Sequence, residues 1–170
     1  LPATLTAFFT KVTHVMDTKI IVIWVGLLLA VFACKKWYSE ALFLGSNLVL
    51  TGLLVLLLKN IYQRPRPSIL HLVEEKGFSF PSGHSLASTL VLGSLIIIVG
   101  QHIKNKVARY CLQGLLILGI VTIVISRIYV GVHYPSDVLG SMILGLAVLQ
   151  FEYPLYDRLR FQWRFTGKQK

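Results

Sequence analysis

Five runs of the chain contain no Asp, Glu, Lys, Arg or His: residues 20–34, 41–58, 85–100, 110–125 and 138–151. Five such runs within 170 residues leave little choice of solvent. A helix that crosses a bilayer needs about 20 mostly apolar residues, with a range of roughly 17 to 25. The shorter runs reach that span with their flanking polar residues, whose long basic side chains can extend to the interface. The outer helices of a soluble bundle carry polar faces, and these runs carry none. Composition agrees: 55% of the chain is hydrophobic and 14% charged, where a soluble domain has about 25% charged residues. The sequence therefore predicts an all-α fold, a polytopic membrane helix bundle with five transmembrane helices in one domain. Its parts are an outer interfacial segment (1–19), the bundle (20–152) and a basic tail (153–170).

Charge then orients the bundle. The seventeen basic and seven acidic residues give a formal charge of +10. In a soluble chain that excess would suggest nucleic acid; here it bears on topology. Lys35, Lys36, Lys104, Lys106, Arg109, Arg158, Arg160, Arg164, Lys168 and Lys170 fall on one side of a five-span chain. The positive-inside rule assigns that side, with the C-terminal tail, to the cytoplasm. Residues 1–19, 59–84 and 126–137 are then outside. Leu5, Phe8, Phe9 and Val12 form an apolar stripe that suits a helix lying along the membrane surface. Cys34 and Cys111 fall at cytoplasmic helix ends, where a disulfide is not expected, and no zinc-type spacing is present.

The outer segments carry the chemistry. The first reads Lys59-Asn-Ile-Tyr-Gln-Arg-Pro-Arg66-Pro67, three cations on the outer side, where anion binding explains them better than interfacial anchoring. The second reads Phe80-Pro81-Ser82-Gly83-His84 and opens a helix, whose free N–H groups form a ready anion site. Gly83 would let an anion approach the backbone, and a plain N-cap by Ser82 is the alternative. The third reads Ser126-Arg127, then His133 and Asp137. Asp137 starts the last helix, where the dipole favours a carboxylate. If the turn at Pro135 is helical, the i, i+4 pair can touch. A carboxylate holding one imidazole nitrogen leaves the other more nucleophilic. Together the segments supply cations, helix N–H groups and two histidines, an inventory that suits a phosphoryl group. Only Asp137 argues, from the residues themselves, that His133 rather than His84 is the nucleophile.

In order and without departure, these three segments resemble the signature of the type 2 phosphatidic acid phosphatase superfamily. The stretch from Phe8 to Asp17 is similar to that family's segment between its first two helices. Integral-membrane members usually have six helices, so the resemblance implies one more upstream. It implies that His133 attacks phosphorus to form a phosphohistidine, that Asp137 orients it, and that His84 protonates the leaving oxygen and then activates water. It implies that Lys59, Arg66, Ser82, Gly83 and Arg127 hold the phosphate oxygens. No metal or other cofactor is implied, nor nucleic acid, nor an obligate protein partner. The implied substrate is phosphatidate, phosphatidylglycerophosphate or undecaprenyl pyrophosphate at the outer face of a bacterial cytoplasmic membrane.

A lipid phosphotransferase using the same intermediate is the second reading, and the residues do not separate the two. Phospholipid binding without turnover is a third, disfavoured because both histidines are present. The haloperoxidases that share the cage are soluble and much larger. Glu74, Glu75 and Lys76 read as a solvated loop, with discrimination among headgroups as the alternative. His14 and His71 read as interfacial. Gly93, Gly114, Gly119, Gly140 and Gly145 are expected at close helix contacts.

Overall fold

The computed structural model describes residues 2–170, and its regular structure is all helical; among these residues there is no strand. Leu1 lies outside them. Six helices follow in order: α1 (Ala3–His14), α2 (Thr18–Cys34), α3 (Tyr38–Tyr62), α4 (Gly83–His102), α5 (Lys106–Tyr129) and α6 (Pro135–Phe165). The last four are long and apolar enough to cross a membrane. α2 has 17 residues and follows α1 at a bend of 57°, so it supplies a fifth span when the bent pair is counted as one. The chain is a multi-pass membrane protein.

The interior holds an apolar cluster that includes Val25, Leu44, Leu86 and Leu90, but unlike a water-soluble protein the exterior is apolar too. Leu53, Leu56, Leu57, Leu115, Leu118, Ile143 and Leu146 point outward, while Ser85, Ser88, Thr89, Ser94, Ser126 and Ser141 are buried. In lipid, apolar side chains gain nothing by leaving the surface, so helices associate through small residues and hydrogen bonds. α4 is the central helix and packs against α3, α5 and α6. One turn of it, Ser88–Leu92, is π-helical. A Cβ at Gly145 would come within 2.7 Å of Thr89 in that turn, and one at Gly93 within 2.5 Å of Leu149. These glycines let α4 and α6 approach closely, as expected. Gly114 does not share that role, because nothing lies within 4 Å of its Cβ position; it is on the outward side of α5.

α6 continues past the apolar run to Phe165, so most of the segment read as a tail is helical. Its end folds back. The Ser39 N–H donates to Gln169 Oε1 at 2.8 Å, and Lys170 N–H to Lys36 O at 3.1 Å. The anchor at this end is Glu40, fully buried in the first turn of α3. It faces His102 Nε2 at 2.8 Å, accepts from Ser39 Oγ at 2.9 Å, and lies 3.5 Å from Arg164. α3, α4 and α6 are thereby pinned together. Removing the carboxylate strands buried polar partners, so Glu40→Ala should lower stability by about 2–4 kcal/mol. Thermal unfolding in detergent, compared with Phe161→Ala on the exposed face of α6, checks this.

Candidate active site

At the opposite end of the bundle, the close of α3 meets the starts of α4 and α6. α3 stops at Gln63, whose left-handed backbone (φ 44°) turns the chain before Pro65. Lys59 is left on the last turn. Arg64 and Arg66 then take different partners. Arg64 Nη1 donates to Asp137 Oδ1 at 2.6 Å and to Ser136 Oγ at 2.9 Å, with its guanidinium 4.3 Å over the Tyr134 ring. Arg66 donates to the carbonyls of Gly77 (3.0 Å), Lys76 (3.1 Å) and Val132 (2.9 Å). Arg66 thus fixes both the long loop and the turn that bears His133.

Asp137 is fully buried in the first turn of α6. Its Oδ2 accepts the Ser79 hydroxyl and, at 3.0 Å, the Tyr134 N–H. The expected contact with His133 takes a looser form. Nδ1 of His133 stands 3.7 Å from Asp137 Oδ2, beyond hydrogen-bond length, and has no other partner. Ser79, Arg64 and the cap of α6 already hold the carboxylate. The ring's other nitrogen, Nε2, faces Arg66 Nη1 at 3.4 Å. Burial pushes the His133 imidazole below the ordinary histidine value; Asp137 opposes that, while Arg127 and Arg66 reinforce it.

His84 is the second residue of α4, and its Nε2 lies 2.9 Å from Asp17 Oδ1. Ser82 caps α4, accepting the Ser85 N–H at 3.4 Å, while its own N–H donates to Ser141 Oγ at 2.9 Å. The simple capping role is therefore present. A Cβ at Gly83 would meet only Val55, at 3.8 Å, so the protein's own atoms do not require glycine there.

Arg127, 1% exposed, comes from the last turn of α5. It donates to Thr13 Oγ1 at 2.5 Å and to Glu75 Oε1, and its Nε is unpaired. The other Glu75 oxygen lies 3.4 Å from Arg66 Nη2. Glu75 therefore bridges the two guanidinium groups expected to hold phosphate, which corrects the expectation of a solvated loop for this residue. Its carboxyl sits below the usual range: burial opposes ionisation, but Arg127, His84 and Arg66 together outweigh it. Sequence reasoning also missed Ser79, Thr13 and Asp17, and it counted Arg64 among the anion-binding cations where Arg64 pairs with Asp137. His14 is not merely interfacial, since its Nδ1 is 2.7 Å from Asp17 Oδ2.

Lys59, Glu75, Gly83, His84 and His133 share the wall of one cavity of about 460 Å³. The cavity continues between α2 and α3 past Val55, Gly52, Val49 and Leu48. From Lys59 to Leu48 is roughly 16 Å of helix. It is polar at one end and apolar along its body. A larger cavity of about 730 Å³ among α4, α5 and α6 is lined by no Asp, Glu, Lys, Arg or His. A smaller cavity of about 300 Å³ borders the site from the α1 side, lined by Thr13, His14, Asp17, Glu75 and Arg127.

Fold and site define a membrane helix bundle with an anion cage at one end. Residues 40–161 match the PAP2 superfamily, and the chain belongs to that family. It is 31% identical over 147 residues to an undecaprenyl-diphosphatase of Bacillus subtilis, covering 82% of this chain and 71% of that one. It is 40% identical over 93 residues to the phosphatidylglycerophosphatase B of the same organism. That match covers 52% of this chain and 44% of the relative, so the chain aligns with under half of that protein's length. In structure it is similar to a transmembrane PAP2-type phosphatidylglycerolphosphate phosphatase from Bacillus subtilis, with a TM-score of 0.85 and 26% identity. That superposition covers 93% of this chain and 79% of the other.

If Arg66 and Arg127 hold phosphate as expected, Glu75 stands where that anion would bind. Glu75→Gln keeps the shape and removes the competing charge. Inorganic phosphate should then stabilise the protein against heat at about tenfold lower concentration than it does the wild type, in a thermal-shift titration.

Proposed function

We propose that the chain is a metal-independent lipid phosphatase that releases phosphate from a phosphomonoester or pyrophosphate of a membrane lipid through a phosphohistidine. The observation that carries the reading is the single cavity with His84, His133 and Lys59 at its head and apolar helix surface along its length. Such a cavity suits an amphiphile whose tail stays among the helices while its phosphate enters the cage. The named activities of the relatives support the same substrate class.

In this reading His133 Nε2 attacks phosphorus, because Nδ1 is turned towards Asp137. Asp137 stabilises the ring electrostatically as positive charge develops on it. Lys59, Arg66 and Arg127 neutralise the equatorial oxygens once Glu75 is displaced, with Gly83 and the capped start of α4 at their side. Ser82 contributes by holding that start in place. Preorganised cations of this kind supply the largest share of such catalysis. His84 protonates the lipid oxygen as it leaves. It then takes a proton from water, which attacks phosphorus and frees His133. A lipid acceptor in place of water would make the same intermediate serve transfer. The reading sets the site at the extracytoplasmic face of a bacterial cytoplasmic membrane and the C-terminus inside, as the positive-inside rule assigns.

Phosphate release from phosphatidate, phosphatidylglycerophosphate and undecaprenyl pyrophosphate, measured on purified protein with EDTA, tests the proposal. Release should persist in EDTA and fall by about 10³-fold or more in His133→Ala. Loss of release in EDTA would overturn the metal-free mechanism. The acid limb of kcat/KM reports His133, which must be neutral to attack. A lowered value keeps the ring neutral further into acid, so that limb should lie below pH ~6.5, the ordinary histidine value.

A further inference from the structure

Two contacts to the site come from outside residues 40–161, the part that carries the family match. Both arise at the corner between α1 and α2. There Thr13 accepts from Arg127, and Asp17 stands 2.9 Å from His84 Nε2. Asp17 is also the N-cap residue of α2. An Asp at that position usually accepts an N–H from the first turn of its own helix. The Asp17 side chain makes no such bond. Its two oxygens are instead divided between two imidazoles, Oδ1 with His84 and Oδ2 with His14. The chain forgoes a local cap to aim this carboxylate at α4.

We propose that Asp17 is a positioning residue for His84: it holds Nε2, leaves Nδ1 as the nitrogen that exchanges a proton with the substrate, and stabilises the imidazolium that must exist before the lipid oxygen departs. The proposal rests on the reading of His84 as the acid. In that step a bond forms between His133 Nε2 and phosphorus. The bond from phosphorus to the lipid oxygen breaks with its electron pair on oxygen, and the proton moves from His84 Nδ1 to that oxygen. His84 keeps its Nε2 proton on Asp17 throughout.

The other charges around His84 make Asp17 necessary. Burial of the ring comes first in disfavouring the imidazolium, and Arg127 from α5 adds to it, while Asp17 and Glu75 favour it. Phosphate displaces Glu75 from the guanidinium groups, which leaves Asp17 as the carboxylate that stays. His14 on α1 faces Asp17 and steadies it from the far side. Burial opposes ionisation of Asp17, but its hydrogen bonds with His84 and His14 prevail, so the carboxyl lies below its usual value and is charged when needed.

The test compares leaving groups. Phosphatidate has an alkoxide that must be protonated; an alkyl-substituted nitrophenyl phosphate has a phenolate that leaves without a proton. The ratio kcat/KM reports events up to departure and excludes the later attack of water. In Asp17→Asn, kcat/KM for phosphatidate should fall about 10- to 100-fold, with the aryl ester changed less than about threefold. The alkaline limb of the phosphatidate profile should move to lower pH, and Asp17→Glu should recover part of the loss. An equal fall for both esters with an unmoved pH profile would show a merely structural corner and overturn the proposal. If Asp17→Asn does not fold, Asp17→Glu decides. A displaced alkaline limb supports the assignment, and a lower rate with an unmoved limb overturns it. Wild-type protein inactive on every lipid phosphate would instead sink the proposed function, a failure distinct from loss of leaving-group selectivity.

Discussion

Positive charge gathered at one end of an apolar bundle survives only if other segments bring counter-charge to it. A buried ion left without a partner costs several kcal/mol, and Arg127 is almost wholly enclosed. Here Arg64 pairs with Asp137, while Arg66 and Arg127 share Glu75. Those pairs tie the loop after α3 to the ends of α5 and α6 without any regular structure in the loop. The two carboxylates differ in kind. Asp137 is held by a hydroxyl, a backbone N–H and a guanidinium at once, in the first turn of α6. Glu75 arrives on a loop, and in the proposed mechanism phosphate takes over both of its contacts. In the proposed function the counter-ion is intramolecular while the cage is empty and gives way to the substrate's phosphate.

The π turn and the glycines of α4 and α6 belong to the same design. Bringing α6 close to α4 carries Asp137 and Ser141 against the Ser79–Ser82 stretch, where Ser141 receives the Ser82 N–H. The start of α4 is thus fixed by α6 before any ligand arrives. Preorganisation of this kind matters because a cage that must reorganise gives back what it gains.

The membrane class was legible in the sequence because it rests on an absence of charge over long runs, which no tertiary contact can overturn. The three outer segments were legible because their residue types are costly in such a chain and fall on the same side. What stayed hidden had an ordinary local explanation. Asp17 stands before an apolar helix and reads as a cap. Ser79 reads as loop, and Arg64 as one more cation beside Arg66. Glu75 sits among charges that suit water. Each gains its role from a partner more than 50 residues away, except for the Arg66 contact of Glu75. Spacing along the chain carries no trace of such partners. The His133–Asp137 pair came out looser than a hydrogen bond. Its spacing does bring the groups together, but the carboxylate is claimed by three other donors that the spacing could not reveal.

Two ends of one bundle use the same residue types to different effect. At the Glu40 end, imidazole, guanidinium, hydroxyl and amide all converge on one carboxylate, and the carboxylate has a partner for each oxygen. That carboxylate has nothing left for a ligand to satisfy. At the other end the carboxylates are shared out, and Nδ1 of His133 and Nε of Arg127 remain buried without partners. Native proteins leave few such groups unpaired unless something else completes them. Clusters of His, Arg and Glu therefore do not mark a reactive site by themselves. Unpaired groups are not a mark by themselves either, since Asn47, Gln101, Glu152 and Arg160 also keep one each; His133 is the one that lines the cavity with His84 and Lys59, where an amphiphile's tail can enter from between the helices.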